Sequence, residues 1–135
     1  MNTRIATVVV LATLCLGQQL QAQTKSMSVT VPFGFTAYNT DMPAGNYAVT
    51  RLTEKAVSLQ LEGGLKSVLV TDAKETLSPQ SIGKLVFNRF GSRYFLAEIW
   101  GHNADTGRIA RKSSVENALA RNVKHGQVSV RAGRD

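Results

Sequence analysis

Cysteine and histidine are scarce in this chain of 135 residues, which contains one Cys and two His. Cys15 lies in an N-terminal stretch that we expect to be removed, so disulfides cannot stabilise the remaining chain. The histidines, His102 and His125, lie outside the predicted strands. Cys–His and Ser–His–Asp catalytic arrangements therefore lack the residues they need.

The composition is that of a globular protein with one domain. Hydrophobic residues make up 43% of the chain and charged residues 19%, unlike disordered, collagen-like or disulfide-rich chains. The 16 Lys and Arg exceed the 9 Asp and Glu, which gives a net charge of +7. This length is enough for one domain with its own core.

Residues 1–22 have the pattern of a secretory signal peptide. Arg4 precedes a run of uncharged residues, 5–16, and Ala22 is a suitable cleavage residue. As a helix the run reaches about 18 Å, short of the ~30 Å hydrocarbon core of a membrane. The pattern predicts export to the periplasm or the extracellular space, with retention as an uncleaved anchor as the alternative.

The residues that follow alternate in the manner of β-strands. Apolar side chains occupy every second position from Val29 to Phe35, and Pro32 predicts that this strand lies at a sheet edge. Two-residue loops at 54–55 and 63–64 would join three more strands. With those loops, one apolar face would hold Ala48, Thr50, Leu52, Val57, Leu59, Leu61, Val68 and Val70.

The strongest local signal is a hairpin with strands at 84–90 and 93–100, joined by a Gly-Ser turn. Both of its faces are largely apolar, which indicates a central pair covered on two sides. Residues 72–82 are polar and contain Pro79, and we expect an irregular connection there.

A helix is predicted over residues 113–124. Ser113 and Glu116 have capping-box spacing, and Gly126 is placed to stop the helix. A helix of this length is marginal alone, so it should dock on the sheet. The stripe expected to dock consists of Val115, Ala118, Leu119 and Val123.

The predicted fold class is mainly β. We expect an antiparallel meander that forms a small sandwich or barrel, with one C-terminal amphipathic helix packed on it. A β part at residues 27–104 and a basic segment at 105–135 should form one domain, with a last short strand at 127–131.

The triplet Asp105-Thr106-Gly107 matches the active-site signature of aspartic proteases, but its surroundings do not. Polar residues precede it and Arg108 follows it, whereas a protease needs an apolar strand leading into the aspartate. We interpret it as a polar turn. His102, Asn103 and Asp105 suit a divalent metal, but the rest of the sequence offers no further ligands to complete the site, and we predict no metal and no cofactor.

The hairpin offers a candidate surface for a ligand or partner. With regular pairing, one face holds Arg89, Tyr94, Glu98 and Trp100. Arg89 would face Tyr94, which suits stacking of a guanidinium on a ring. Glu98 would mark a site if it were buried. The structural alternative is that it pairs with a basic residue or lies at the sheet margin.

The positive charge is concentrated at the C-terminal end. Residues 108–135 hold seven Lys and Arg against two acidic residues, a net of +5, whereas residues 25–106 hold eight against seven. Every aromatic residue lies at or before Trp100, so nucleic-acid binding by base stacking is not indicated. Contact with an anionic polymer through charge is one prediction, and a solvated face is the alternative. The cations concerned are Arg108, Arg111, Lys112, Arg121, Lys124, Arg131 and Arg134.

Three segments carry a family resemblance: VPFxF at 31–35, MPAGxYxV at 42–49 and LVFxRFGxxYFLxEIW at 85–100. Together they resemble a family of small exported β-rich proteins of acidobacterial type, over residues 29–120. The resemblance implies a signal peptide, a compact β domain and a basic helical end, but no catalytic or binding residue. Phe90 stands where we expect Tyr.

These observations favour an exported, non-catalytic β domain that binds a partner or a cell-envelope component. The first alternative is a binder of polysaccharide, lipid head groups or nucleic acid through the basic C-terminal segment. The second is a small hydrolase centred on Glu98 or on His102 and Asp105.

Overall fold

The computed structural model describes residues 26–133. The predicted signal segment, Cys15 and Arg134 lie outside the described residues. The strands are β1 (Ser26–Val31), β2 (Phe35–Ala37), β3 (Thr40–Met42), β4 (Gly45–Thr53), β5 (Ala56–Leu61), β6 (Lys66–Gln80), β7 (Lys84–Phe90), β8 (Arg93–Trp100), β9 (Ala104–Ala110) and β10 (Gly126–Arg131). The helix α1 (Ser114–Asn122) lies between β9 and β10. Within residues 26–133, the chain has no helix with the length and apolar character needed to cross a membrane.

The strands form one continuous sheet in the order β1-β4-β5-β6-β9-β8-β2-β3, and β7 joins β8 to β10. Neighbouring strands are antiparallel, except that β2 meets β8 in parallel. β6 pairs with β5 through residues 66–70 and with β9 from Thr71 onward. It therefore links a first half of the sheet (β1, β4, β5) to a second half (β2, β3, β7, β8, β9, β10).

The two halves enclose one hydrophobic core, and the sheet does not close into a barrel. Phe35 of the second half meets Tyr47 of the first, with ring centroids 5.3 Å apart. Val29, Leu59 and Leu96 belong to the same buried cluster. The predicted fold class, mainly β with a C-terminal helix, is confirmed.

The first strand follows its sequence pattern. Val29 and Val31 are buried, and β1 lies at an end of the sheet, as Pro32 predicted. Its outer side is met by the end of the described chain, where the Gly133 N–H donates to the Ser28 carbonyl oxygen at 2.9 Å.

The predicted register between β4 and β5 was wrong, although the turn at 54–55 is present. A bulge at residue 52 shifts the pairing, so Leu59 faces Val49 and Val57 faces Arg51. Because a shift of one residue exchanges the faces of a strand, Tyr47 and Val49 are buried in place of Ala48 and Thr50.

The register between β5 and β6 was also wrong, for a different reason. The Leu61 N–H donates to the Leu65 carbonyl oxygen at 2.8 Å, which leaves three residues in the loop where two were predicted. Leu69 therefore enters the core at 3% exposure, whereas Val68 and Val70 stay 56% and 49% exposed.

The irregular connection predicted at 72–82 is the second part of β6. Residues 72–75 are exposed on both faces of the strand, so apolar alternation does not mark it. The predicted turn at Asp105-Thr106-Gly107 is likewise wrong, because these residues belong to β9, and Thr106 and Gly107 pair with Glu75 and Lys74 of β6.

The strong hairpin has the predicted strands, and Gly91 adopts a φ of +61° in its turn. Its faces differ from the prediction beyond residue 97. Phe87 pairs with Leu96, but the next pair is Val86 with Glu98, because Ala97 forms a bulge.

The helix is shorter than predicted and docks differently. The Ser113 hydroxyl caps it by accepting from the Glu116 N–H at 3.2 Å, and Val123 ends it, not Gly126. The predicted apolar stripe was wrong, since Val115 is largely exposed. The helix instead buries Glu116, whose carboxylate accepts from the amide of Asn88 on β7 at 3.0 Å.

Candidate functional site

A cleft of about 480 Å³ opens at one end of the molecule. Antiparallel pairing brings together the start of β1, the end of β4 and the start of β5, and the turn between β8 and β9 meets them at the cleft. Its apolar lining consists of Met27, Val49, Val57, Ile99 and Ala104. Its polar lining consists of Ser26, Arg51, His102, Asn103, Asp105, Thr106 and Arg108.

Arg108 is a buried cation in the lining of this cleft, with 8% of the residue exposed. It pairs with Ile99 across the β8–β9 ladder and faces inward, whereas the next residue, Ile109, faces out. Its Nε donates to Thr71 Oγ1 at 3.0 Å and its Nη2 to the Thr71 carbonyl oxygen at 3.2 Å. Thr71 thus occupies the side of the guanidinium formed by Nε and Nη2.

The other edge of the Arg108 guanidinium, formed by Nη1 and Nη2, is open. No carboxylate of residues 26–133 forms an ion pair with it. Every fully buried side-chain nitrogen or oxygen in the described part of the chain has a hydrogen-bond partner. Nη1 has no hydrogen-bond partner among the described residues, so it is not fully buried, and Arg108 lines the cleft.

Three other charged or titratable side chains line the cleft. Arg51 is exposed at the mouth, and its Nε donates to the Thr53 carbonyl oxygen at 3.4 Å. The imidazole of His102 accepts the Gly83 N–H on Nδ1 at 3.0 Å, so the neutral ring carries its proton on Nε2. The Asp105 carboxylate accepts from the Thr106 hydroxyl at 3.3 Å.

His102 and Asp105 therefore lie at one cleft, but within residues 26–133 they form no hydrogen bond or ion pair with each other. A cluster of three or more side chains that could hold a metal is not found in residues 26–133. The cleft offers an apolar wall, one buried guanidinium and a polar mouth.

Glu98 and Trp100 lie away from this cleft, on the opposite face of β8. The bulge at Ala97 moves them there and sends Ile99 into the core. Glu98 forms an ion pair with Lys74 of β6, and the Trp100 Nε1–H donates to its other oxygen at 3.3 Å. Glu98 thus pairs with a basic residue, one of the alternatives that the sequence left open.

Arg89 and Tyr94 stay together, as predicted. The guanidinium carbon lies 5.5 Å from the ring centroid, and Nε donates to the Gly91 carbonyl oxygen at 2.8 Å. Phe33 stacks on Tyr94, with centroids 3.9 Å apart. The four residues expected on one face are therefore split into two separate pairs.

The cations of the C-terminal segment also fall into two groups, one at the cleft and one on the exposed surface. Arg108 belongs to the cleft, and the remaining cations within the described residues are exposed: Arg111, Lys112, Arg121, Lys124 and Arg131. The acidic residue among them, Glu116, is buried and bound to Asn88, so it does not face them in solution.

No local pattern in the sequence marks Met27, Val49, Arg51 or Thr71 as part of a site. These residues lie in three strands, β1, β4 and β6, and the cleft forms only where distant strand ends meet. One signal was available for Arg108: strand alternation through residues 108–110 places Arg108 and Ala110 on the same face.

Comparisons of the chain with protein-family models, with curated proteins and with solved structures found no match.

Proposed function

We propose that this protein is an exported, non-catalytic β domain that binds a small component of the cell envelope in the cleft beside Arg108. The observation that carries the proposal is the cleft itself. Its volume lies within the ~300–1,000 Å³ typical of small-molecule sites, and it combines apolar walls with a few polar groups.

The contacts at the candidate acid–base residues support binding rather than hydrolysis. Both carboxylate oxygens of Glu98 are engaged, and Glu98 lies away from the cleft. His102 uses Nδ1 to accept a backbone N–H and has no carboxylate to orient it among the described residues. Export itself rests on the sequence of residues 1–22, and membership of the exported family rests on the three quoted segments.

Thermal unfolding with a library of small molecules and envelope saccharides tests this function. Compounds that bind should raise the Tm of the protein, and mass spectrometry should recover them unaltered. In Ala104→Trp, which fills the cleft, these shifts should disappear. Ser129→Trp adds the same ring on exposed β10 and should keep them. Equal shifts in both variants, or conversion of a compound to product, would contradict the proposal.

The exposed cations favour a second candidate function, the binding of an anionic polymer by the C-terminal segment. Replacing Arg111, Lys112, Arg121 and Lys124 with Gln should lower the salt concentration at which the protein leaves a heparin column. Truncation is unsuitable as a test, because residues 104–131 include two strands of the sheet. Unchanged elution of the fourfold variant would exclude this candidate.

A further inference from the structure

We infer that the ligand of the cleft is an organic carboxylate, held by a two-pronged ion pair with the open edge of Arg108. This inference rests on the proposed function, since it names the chemistry of the molecule that the cleft binds.

The buried charge of Arg108 favours an anionic ligand. A buried ionised side chain is costly unless an opposite charge and hydrogen bonds compensate for its lost hydration. Thr71 supplies two neutral acceptors, and no carboxylate of the described residues lies within ion-pair distance of Arg108. An anion in the cleft would provide the missing compensation.

The geometry of the Arg108 guanidinium favours a carboxylate. A guanidinium has two edges, each with two parallel N–H bonds that fit the two oxygens of a carboxylate. Thr71 uses the edge of Nε and Nη2 and so fixes the plane of the group. The edge of Nη1 and Nη2 remains available on the side of the cleft. Such a preorganised fork loses little conformational entropy when it pairs with a planar anion.

The rest of the cleft lining sets the form of the ligand. Met27, Val49 and Ile99 offer an apolar surface to the body of the molecule. Arg51 at the mouth attracts an anion, while Asp105 opposes a second negative charge. This balance favours a ligand with one carboxylate and an apolar body over a dianion such as a phosphate monoester.

The experiment titrates 15N-labelled protein with octanoate, phenylacetate and indole-3-acetate, each beside its primary amide, and follows the backbone N–H signals by NMR. Each pair has the same apolar body and differs in charge. We expect at least one acid to shift the signals of residues 101–108 and to bind at least about tenfold more tightly than its amide.

Two variants locate the effect. Arg108→Gln should remove the preference for the acid over the amide, whereas Arg121→Gln should keep it, because Arg121 is an exposed cation of α1 that does not line the cleft. Circular dichroism and Tm establish that each variant is folded, and the acid–amide comparison on the unaltered protein needs no variant.

The possible outcomes distinguish failure of the carboxylate inference from failure of the proposed binding function. Equal affinity of acid and amide at the cleft would overturn the carboxylate inference and leave the binding function standing. A preference for the acid that survives Arg108→Gln would overturn the role of Arg108. If neither acids nor amides shift the cleft signals, while library compounds raise the Tm of the protein but not of Ala104→Trp, the carboxylate inference alone fails. If no compound of either kind acts at the cleft, the proposed function fails with it.

Discussion

The indole of Trp100 lies directly on the backbone of Gly107, so closely that a Cβ atom at position 107 would be 2.6 Å from the ring. The ring is buried, and its Nε1–H is bound to Glu98, so it cannot move aside freely. We expect Gly107→Ala to lower the free energy of unfolding by about 1–3 kcal/mol through overpacking, measured by urea denaturation.

Gly126→Ala is the matched control. A Cβ atom there meets nothing within 4 Å, so this variant should stay within about 0.5 kcal/mol of the wild type. Equal midpoints for the two variants would show that Trp100 does not press on position 107.

The register of β6 predicts opposite effects at adjacent residues. Leu69→Ala removes a core side chain and should cost about 2–5 kcal/mol of unfolding free energy. Val68→Ala, on the exposed face, should cost well under about 1 kcal/mol. The register predicted from a two-residue loop at 63–64 implies the reverse order, so thermal or urea unfolding of the two variants decides between them.

The parts of the fold that local signals could predict are the hairpin at 84–100, the edge position of β1 and the cap at Ser113. In each, the determining residues are close in sequence. The faces of β4 and β8 depend on bulges at Leu52 and Ala97, and neither position carries a glycine or proline that would mark it. One inserted residue exchanged the faces, so local periodicity identified the strands but not which side was buried.

The candidate site was less predictable than the strands. His102 and Asp105 were noted from the sequence as possible metal ligands or hydrolase residues, and Arg108 as a contact for an anionic polymer. Their shared place at one cleft depends on the β8–β9 turn meeting Arg51 and its neighbours, about fifty residues away in the chain. Contacts of that separation leave no periodic trace in a single sequence.

The buried carboxylate of Glu116 should be important for the docking of α1. Glu116→Ala leaves the Asn88 amide without its acceptor, at an expected cost of about 1–3 kcal/mol in unfolding free energy. Asn117→Ala changes an exposed residue of the same helix and should have an effect within about 0.5 kcal/mol. Similar urea midpoints for both variants would mean that the Asn88–Glu116 contact contributes little.

The burial of Tyr47 predicts that the folded protein loses stability at alkaline pH. Burial raises the pKa of its phenol above the ordinary value of 10.0, because desolvation disfavours the phenolate. The unfolded chain therefore releases this proton at a lower pH than the folded protein does. The stability that comes from the neutral group is complete below about pH 10 and is lost as the pH rises through the folded pKa.

Tyr47→Phe should therefore show a shallower fall in Tm between about pH 9 and pH 11 than the wild type. It should also have a lower Tm at neutral pH, because the Tyr47 hydroxyl donates to the Pro43 carbonyl oxygen. Tyr38→Phe, at an exposed site, should keep the wild-type slope. Identical slopes for all three proteins would rule out a role for Tyr47 in the alkaline transition.

The hydrogen bond from Gly133 to Ser28 holds the two ends of the described chain, residues 26 and 133, close together. A short linker between these ends would span little distance and would remove closure entropy from the unfolded chain. New chain termini could then be placed in the exposed loop of Gly63 and Gly64, where a Cβ atom would meet no other atom within 4 Å. The order of the strands along the chain could thus be changed while their order in the sheet is kept.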